Sequence, residues 1–449
     1  GYNYVNPFGT GLGLCSDPEV TCNDKLIGVW DFVEDNPNTE DWVEENTKGK
    51  DNDGHGSHTA GIAVGVPVNV TIDGSVSTTL SGVAPRASLI SYRVCYKGEP
   101  STSESEGCSG SAILAAIDQA VSDGVDVINY SIGGDARDPW AFGTADRAFL
   151  AARSSGIFIA SSAGNAGPNE GTISSPAMAP WIVAVGNATH NAVFGNVLGD
   201  FSGGDTPLPQ PMAGSSLTDG TGKLQIVHAR DYGYPLCGIG PAESEETCAE
   251  NTGQSNPWAG SRPFNGEIVV CDRGTYGRVE KGKNLSLAGA GGYVLANTSE
   301  FGEALKADNH CLPATHIGKQ DGDELRAWLA SGSGHGAAIS GMGLMELDGV
   351  ADELSFSSGR GPAAFPVQDT MKPNLIAPGT AILAAWFQGS EFRTLSGTSM
   401  SSPHVAGAAA LLKSVHPGWN VSQVSSALET TATRELARDW TGEPATTEQ

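Results

Sequence analysis

The sequence predicts an α/β fold with a mostly parallel β-sheet flanked by helices, and a small, mostly β domain inserted into it. The first half alternates amphipathic stretches with short, continuous apolar runs, which lie at residues 26–30, 89–94, 125–130, 157–160 and 181–185. Continuous apolar runs are typical of parallel strands that are buried on both faces. The second observation is a change of character near residue 196, after which Gly, Pro and Ser dominate up to about residue 349.

The helices are predicted from apolar periodicity. Residues 111–123 repeat apolar side chains at the 3.6-residue period of an amphipathic helix. Residues 58–64 and 145–154 are weaker candidates, and the strongest helix is predicted at about 399–414. Strands that alternate with helices imply an open α/β sheet, because such connections favour parallel pairing.

The Gly- and Pro-rich segment is predicted to lack long helices and to contain short strands, at residues 224–228, 267–271 and 293–296. It also holds four of the eight cysteines. We therefore divide the chain into an α/β unit made of residues 1–195 and 350–449, and an inserted domain of residues 196–349.

The composition excludes several classes of function. The chain has 449 residues, with 25 Lys and Arg against 51 Asp and Glu, and a formal net charge of −26. Affinity for nucleic acid comes mainly from Lys and Arg, so we expect no nucleic-acid partner. The same charge disfavours docking on an anionic membrane. No apolar run approaches the roughly 18 residues that a membrane span needs, so no membrane association is expected.

The cysteines lie in close sequence pairs, which indicates disulfides formed in an oxidising compartment. No pair has the spacing of a zinc or redox motif, so metal binding is the weaker interpretation. Eight cysteines allow many pairings, and nearest-neighbour pairing is our hypothesis: Cys15 with Cys22, Cys95 with Cys108, Cys237 with Cys248, and Cys271 with Cys311. The chain starts at Gly1 without an apolar leader, so we expect a processed, secreted, extracellular protein.

Three segments carry the residue types that nucleophilic catalysis needs. Asp31 follows the apolar run 26–30, and catalytic groups of parallel sheets collect at the carboxyl ends of strands. His55 lies between two glycines, where the backbone can pass close to a substrate. Ser399 lies at the start of the strongest predicted helix. A Ser hydroxyl becomes nucleophilic when a neutral imidazole takes its proton, and a carboxylate orients that imidazole.

A fourth segment, residues 162–168, places Asn165 between glycines after a predicted buried strand. Its side-chain amide can donate a hydrogen bond to a tetrahedral oxyanion, together with the backbone N–H of Ser399. A helix N-terminus adds positive potential at the same place. Two further histidines, His58 and His404, are interpreted as structural hydrogen-bonding groups.

These four segments, in the order Asp, His, Asn, Ser, resemble the subtilisin family of serine proteases. Residues 125–134 and 372–379 are also similar to that family, so the resemblance covers about residues 20–195 and 350–435. It implies a serine endopeptidase that forms an acyl-enzyme on Ser399. In that scheme His55 is the general acid and base, Asp31 the orienting carboxylate and Asn165 the oxyanion donor.

The resemblance also implies where a substrate would bind. The segment of residues 131–133 would pair with an extended substrate as an added strand. The residues that would line the pocket for the P1 side chain are Ser131, Ile132, Gly133, Ala163, Gly164 and Ala166. Ala166 is uncharged, so we expect a broad or apolar P1 preference rather than selection for Lys or Arg.

The insert resembles the protease-associated domain found within plant-type and some bacterial subtilases, in residues 264–274, 289–297 and 312–315. The resemblance implies that this domain gates substrate access or mediates contacts. We expect protein or peptide substrates, and an inhibitory propeptide before maturation. A monomer is expected, with a dimer formed through the insert as the alternative.

The sequence departs from the family pattern in two places that bear on the site. Phe32 follows Asp31 where the family has Ser or Thr, so we expect the carboxylate to be held differently. The loop of residues 65–80 replaces a calcium-binding loop of many bacterial relatives, and Asp73 alone does not rebuild an oxygen-rich site. The chemistry requires no cofactor, and a structural calcium ion stays an open question.

Two other functions stay open from the sequence alone. A non-peptidase serine hydrolase, such as an esterase, would also use a Ser nucleophile, but the Gly-x-Ser-x-Gly pattern does not surround Ser399. A catalytically inactive binding module would act through the insert, but no position of the triad is substituted. Hydrolysis of casein, hydrolysis of esters alone, or neither activity separates the three hypotheses.

Overall fold

The computed structural model describes residues 3–33, 48–72, 76–97, 106–205, 207–243, 247–346, 351–364, 366–387, 392–433, 437–439 and 443–445. The strands up to residue 188 are β1 (Leu12–Gly13), β2 (Leu26–Asp31), β3 (Val68–Ile72), β4 (Val76–Leu80), β5 (Leu89–Arg93), β6 (Cys95–Lys97), β7 (Glu106–Cys108), β8 (Val127–Tyr130), β9 (Phe158–Ser162) and β10 (Val183–Ala188). The helices of this part are α1 (His55–Val64), α2 (Gly110–Asp123) and α3 (Ala145–Ser154).

The next strands are β11 (Ala192–Ser202), β12 (Met212–Ser215), β13 (Leu224–His228), β14 (Ile268–Asp272), β15 (Gly292–Ala296), β16 (Ala314–Ile317), β17 (Gly336–Ile339) and β18 (Gly343–Glu346). Helices α4 (Arg278–Leu287) and α5 (Lys319–Leu329) lie among them. The last elements are β19 (Leu375–Pro378), β20 (Ile382–Ala385), β21 (Phe392–Leu395), α6 (Thr398–Val415) and α7 (Val421–Thr431).

Sheets of parallel strands confirm the predicted α/β class. One sheet joins β1, β2 and β5, and a second joins β19, β10, β9 and β8. Every pairing in these two sheets is parallel. Within the described residues these strands form two sheets rather than the single open sheet that we expected.

The core of the α/β unit lies on both faces of the second sheet. Strands β9 and β10 are buried along their whole lengths, as their continuous apolar runs predict. On one face Phe158 and Val185 pack against Val405 of α6, and on the other Ile159 packs against Phe149 of α3. Among the described helices, none is long and apolar enough to cross a bilayer.

Helices α1 and α6 pack closely, and this packing determines where His55 and Ser399 lie. A Cβ atom added at Gly407 of α6 would lie 2.9 Å from the carbonyl oxygen of Ala63 in α1, and 2.6 Å from the side chain of Val83. Such a short separation requires glycine, because real Cβ contacts are longer. The helix that begins at His55 is therefore held against the helix that presents Ser399.

A mixed sheet of eight strands is built from residues 192–346, in the order β12, β16, β15, β14, β13, β17, β11, β18. The strand of this sheet that comes first in the chain, β11, begins at Ala192, four residues before the boundary predicted at residue 196. Strands β13 to β16 are parallel and the other pairings are antiparallel. Leu285 of α4 and Leu325 of α5 pack in different apolar clusters of this sheet. We predicted only strands here, and the two helices were missed because their buried faces contain few apolar residues: α4 buries Glu280, Lys281 and Asn284.

Two of the four predicted disulfides are confirmed and two are wrong. Cys15 with Cys22 and Cys95 with Cys108 are bonded as predicted, but Cys237 bonds Cys271, and Cys248 bonds Cys311. The reason is the sheet: the N–H of Asp272 in β14 donates to the carbonyl of Pro235 at 2.8 Å, which brings the turn after β13 beside β14. Pairing therefore follows strand neighbours, and sequence distance does not predict it.

Candidate active site

Ser399 lies in the first turn of α6 and is bound to the segment that follows β8. Its Oγ donates to the carbonyl of Ser131 at 3.4 Å, and the Ser131 hydroxyl donates to the carbonyl of Ser399 at 2.9 Å. The link continues one turn along α6, where Ser402 donates to Asn129 of β8 at 2.7 Å. These contacts hold the carboxyl end of β8 against the start of α6.

Asn165 lies beside the same helix start and is oriented by Thr398. Its Oδ1 accepts hydrogen bonds from the backbone N–H of Thr398 at 3.0 Å and from the Thr398 hydroxyl at 2.9 Å. The Thr398 hydroxyl in turn accepts from the N–H of Gly164 at 3.2 Å. Because Oδ1 is the acceptor, Nδ2 is the donor that stays open, and in the described part of the chain it has no protein partner. The side chain of Asn165 is exposed, so an oxyanion can reach it.

Thr398 is a site residue that the sequence analysis did not single out. It is fully buried, and its backbone N–H and its hydroxyl bind Asn165 to the start of the helix that carries Ser399. Its position directly before Ser399 was the available signal, but its role depends on where residues 163–165 lie in space.

His55 is the first residue of α1, and the carboxylates of Asp51 and Asp53 accept hydrogen bonds from backbone N–H groups around it. Asp51 accepts from the N–H groups of Gly54 and Ser57, and Asp53 accepts from the N–H of His55 at 3.2 Å. Burial lowers the pKa of His55 below its ordinary value, and the charges of Asp53 and Asp51 act in the opposite direction. A neutral imidazole near neutral pH is the form that a general base requires.

Asp31 is held by Arg93 and two backbone N–H groups. Its carboxylate accepts from Arg93 at 3.0 Å, from Gly49 at 2.8 Å and from Val33 at 3.0 Å. Burial would raise the pKa of Asp31, but the charge of Arg93 and these N–H donors outweigh it, so the pKa lies below its ordinary value. The side chain of Phe32 takes no part in holding this carboxylate, whose three donors are a guanidinium and two backbone N–H groups.

The structure brings together some of the predicted residues but not all. Ser399 lies with Asn165 and with Ser131, through the hydrogen bonds described above. Asp31 is paired with Arg93 instead of His55. Within the described residues, no hydrogen bond joins the imidazole of His55 to Asp31 or to Ser399.

The two segments predicted to line the P1 pocket face each other across Ser174. A Cβ added at Gly133 would lie 2.8 Å from the Ser174 hydroxyl, and one added at Gly164 would lie 2.9 Å from it. Ser174 therefore lies between the two segments, and sequence reasoning did not predict it. Ala163 is fully buried in an apolar cluster, so only its backbone faces this region, whereas Ala166 is exposed.

His58 and His404 make backbone contacts, as their structural interpretation predicts. The Nε2 of His58 lies 3.1 Å from the carbonyl of Ile382 and 3.0 Å from that of Arg393, and burial lowers its pKa to about 4. The Nδ1 of His404 lies 2.9 Å from the carbonyl of Met400. The ring of His58 thus joins α1 to β20 and β21, whereas this contact of His404 lies within α6.

Among the described residues, no group of three or more His, Cys, Asp and Glu side chains is arranged to bind a metal ion. The segment of residues 65–80 contains the antiparallel hairpin β3–β4. Asp73, which the sequence analysis considered for calcium, lies outside the described residues.

The sequence of the chain matches the model of the subtilase family, peptidase S8, over residues 16–446. The chain belongs to the subtilase family. Among its relatives, subtilisin-like protease SBT1.4 of Arabidopsis thaliana is 38% identical over 442 residues, which cover 92% of this chain and 52% of the relative. Subtilisin-like protease SBT1.7 of the same plant is 38% identical over 427 residues, covering 92% and 53%. This subtilase thus spans about half the length of the curated relatives that it matches.

Among solved structures, sphericase matches with a TM-score of 0.45 and 18% identity, covering 92% of this chain and 78% of that chain.

Proposed function

We propose that this subtilase is a serine endopeptidase that hydrolyses peptide bonds through an acyl-enzyme on Ser399. The contact between Thr398 and Asn165 carries the proposal. It holds an exposed side-chain amide beside the nucleophile and leaves the Nδ2 donor open, and this arrangement suits an anion that forms during acyl transfer. A helix cap or a loop residue has no need of such a donor.

In the proposed reaction, His55 takes the proton of the Ser399 hydroxyl as Oγ attacks the carbonyl carbon of the peptide bond. The carbonyl oxygen becomes negative and accepts hydrogen bonds from Asn165 Nδ2 and the N–H of Ser399. His55 then gives the proton to the leaving amine, the C–N bond breaks, and the acyl-enzyme remains. Water hydrolyses this ester with His55 again as base. Every group is supplied by the chain, so the chemistry needs no cofactor.

Asp31 is proposed to stabilise the imidazolium form of His55. Its lowered pKa supports this role, because the carboxylate stays negative across the neutral range. In this role Asp31 binds both Arg93 and His55. The His55 ring must therefore move towards Asp31 from its position in this structure.

The proposed substrate site follows from the contacts between Ser131 and Ser399. They hold the segment after β8 beside the nucleophile, where an extended peptide can pair with it as an added strand. The P1 side chain would lie between residues 131–133 and residues 163–166, next to Ser174. A neutral wall at Ala166 supports a broad or apolar P1 preference.

We also propose that the insert, residues 196–349, is a protease-associated domain that gates substrate access or mediates contacts. The four disulfides support a secreted, extracellular protein, because disulfides persist in oxidising compartments. An inhibitory propeptide before maturation and a monomeric state, with an insert-mediated dimer as the alternative, complete the proposal. Calcium binding stays an open question to be measured on the purified protein.

One observation favours a second function, a binding protein without catalytic activity. The carboxylate of Asp31 is paired with Arg93 and not with His55, and a carboxylate that stays with Arg93 does not orient a catalytic imidazole. In that case the insert would be the active surface of the protein. The two functions differ in one measurable property, the reactivity of Ser399.

Labelling with a fluorophosphonate, followed by peptide mass mapping, tests the proposal. The native protein, the heat-unfolded protein and the Ser399→Ala variant are compared. We expect one adduct, on Ser399, in the native protein only, and casein hydrolysis that disappears with the adduct. Folded protein that forms no adduct would contradict the peptidase proposal and support a binding protein. A labelled protein that cleaves esters but not casein would indicate an esterase.

A further inference from the structure

The carboxylate of Asp51 lies at the start of α1, between the preceding turn and the first helical turn. Its Oδ1 accepts from the N–H of Asp53 at 2.9 Å and from the N–H of Gly54 at 2.8 Å. Its Oδ2 accepts from the N–H of Ser57 at 2.7 Å. One side chain therefore binds N–H groups on both sides of His55, where a helix otherwise leaves them without partners.

The residue at the N-cap position cannot do this work itself. Gly54 has no side chain, its φ of 104° lies in the left-handed region, and an added Cβ would lie 2.4 Å from the ring of Trp386. Glycine is required there by backbone conformation and by the close approach of Trp386. Asp51, which precedes the helix, therefore supplies the side-chain oxygens that cap it.

Asp51 is also one of the two carboxylates whose charge acts on His55, the other being Asp53. Burial would raise the pKa of Asp51, but the N–H donors outweigh it, so its pKa is lowered and it is ionised where His55 titrates. The other charged or titratable groups around α1 are Lys97, which pairs with Asp53 at 3.4 Å, His58, Arg393 and His404 of α6.

We propose that Asp51 is a positioning residue for the reaction: it fixes the backbone turn that presents the His55 imidazole to Ser399. The inference rests on the proposed peptidase function. It assigns to Asp51 an effect on turnover, because a small displacement of a catalytic group lowers the rate of the chemical step while substrate contacts stay in place.

The test compares Asp51→Ala, Asp51→Asn and Asp53→Asn in the whole chain, with kcat and KM measured over pH on a fluorogenic peptide. For Asp51→Ala we expect kcat to fall about ten- to a hundredfold with little change in KM. Asp51→Asn keeps the Oδ1 acceptor and should lose less, and the acid limb of its kcat/KM profile should move to lower pH because one negative charge near His55 is gone. Asp53→Asn should move the limb in the same direction with a smaller loss of kcat than Asp51→Ala, since Asp53 accepts only from the N–H of His55 among the backbone groups of this turn that the structure describes.

A matched control separates positioning from helix stability. Asn420 caps α7 by accepting from the N–H of Gln423 at 3.0 Å, so Asn420→Ala should lower the melting temperature and leave kcat and the pH profile unchanged. If Asp51→Asn is folded and retains both wild-type kcat and the wild-type pH profile, the inference is overturned while the peptidase proposal stands. If the wild-type protein neither labels on Ser399 nor hydrolyses peptide, both are overturned.

Discussion

Asp31 and Arg93 form an ion pair at the carboxyl ends of the neighbouring parallel strands β2 and β5. The Nη1 of Arg93 lies 3.0 Å from Oδ2 of Asp31, and the side chains are 8% and 3% exposed, respectively. The register of the two strands places these residues opposite each other. The pair therefore follows directly from how the sheet forms, and it determines which cation the predicted catalytic carboxylate contacts.

Removing the cation of this pair should destabilise the protein. In Arg93→Met the carboxylate of Asp31 stays buried without its guanidinium, so we expect the free energy of unfolding to fall by about 3–5 kcal/mol. Urea unfolding measures this, in a Ser399→Ala background that prevents self-digestion. Lys319→Met, which breaks the exposed pair of Lys319 with Asp323, is the control and should cost less than about 1 kcal/mol. Equal midpoints for the two variants would contradict the prediction, because losing the buried cation would then cost no more than losing an exposed one.

The hydroxyl of Thr398 should matter for turnover because it orients Asn165. Thr398→Val keeps the backbone N–H bond but removes the bond from Oγ1 to Oδ1 of Asn165, so we expect kcat to fall by about tenfold. Thr398→Ser keeps the hydroxyl and should stay close to wild type. For Asn165→Ala we expect kcat to fall by about 10²–10³, which is the loss measured when an oxyanion-hole donor is removed from subtilisin. If Thr398→Val lowers kcat equally in the presence and absence of Asn165, its effect does not act through that amide.

Glu353 should make stability fall as the pH rises. Burial raises its pKa to about 8, and Glu303 and Asp439 add negative charge around it. The folded protein then holds a proton that the unfolded chain releases near its ordinary pKa of 4.5, so stability decreases with pH between these values, by up to about 1.4 kcal/mol per pH unit. Thermal unfolding of the Ser399→Ala protein from pH 5 to about pH 9 measures the slope.

The control for this prediction is Glu353→Gln, which cannot ionise and should remove this contribution to the slope. Glu303→Gln removes one of the neighbouring charges and should lower the folded-state pKa of Glu353, because an ionised Glu353 is then less disfavoured. The decline in stability should therefore end at lower pH and be smaller in total. The same slope in wild type and Glu353→Gln would mean that Glu353 is not protonated in the folded state.

The disulfides of the eight-stranded sheet should be recovered by peptide mapping without reduction. We expect linked peptides that contain Cys237 with Cys271, and Cys248 with Cys311. Replacing the buried Cys237 and Cys271 together by Ala should lower the free energy of unfolding by about 2–5 kcal/mol, the usual cost of removing a native disulfide. Linked peptides of Cys237 with Cys248 would contradict this pairing.

The strands and helices of the α/β unit were predictable because the spacing of apolar residues along each element shows which of its faces are buried. The runs that became β9 and β10 are apolar throughout, and only a strand with both faces buried has that composition. The helix α2 places its apolar residues at a helical period. Helices α4 and α5 were missed because few of their buried positions are apolar, and the burial of Glu280, Lys281 and Asn284 in α4 becomes visible only in the tertiary structure.

The candidate site divides in the same way. Ser399 and Asn165 were predictable as a pair because both lie where backbone elements begin or end, and the structure joins them through Thr398. The partner of Asp31 was not predictable, because Arg93 is distant in sequence and meets Asp31 only when β2 and β5 pair in register. Ser174 and Asp51 were missed for the same reason: each acts on backbone groups of a segment whose path is a tertiary property.

The sequence by itself determined the fold class, the family and the residue types available for catalysis, because apolar periodicity and short motifs are encoded within a few consecutive residues. Only the tertiary structure decided which charges pair, which cysteines bond and which side chain holds Asn165. Those choices depend on distances between segments that lie far apart in the chain, and such distances arise when the strands pair and α1 packs against α6.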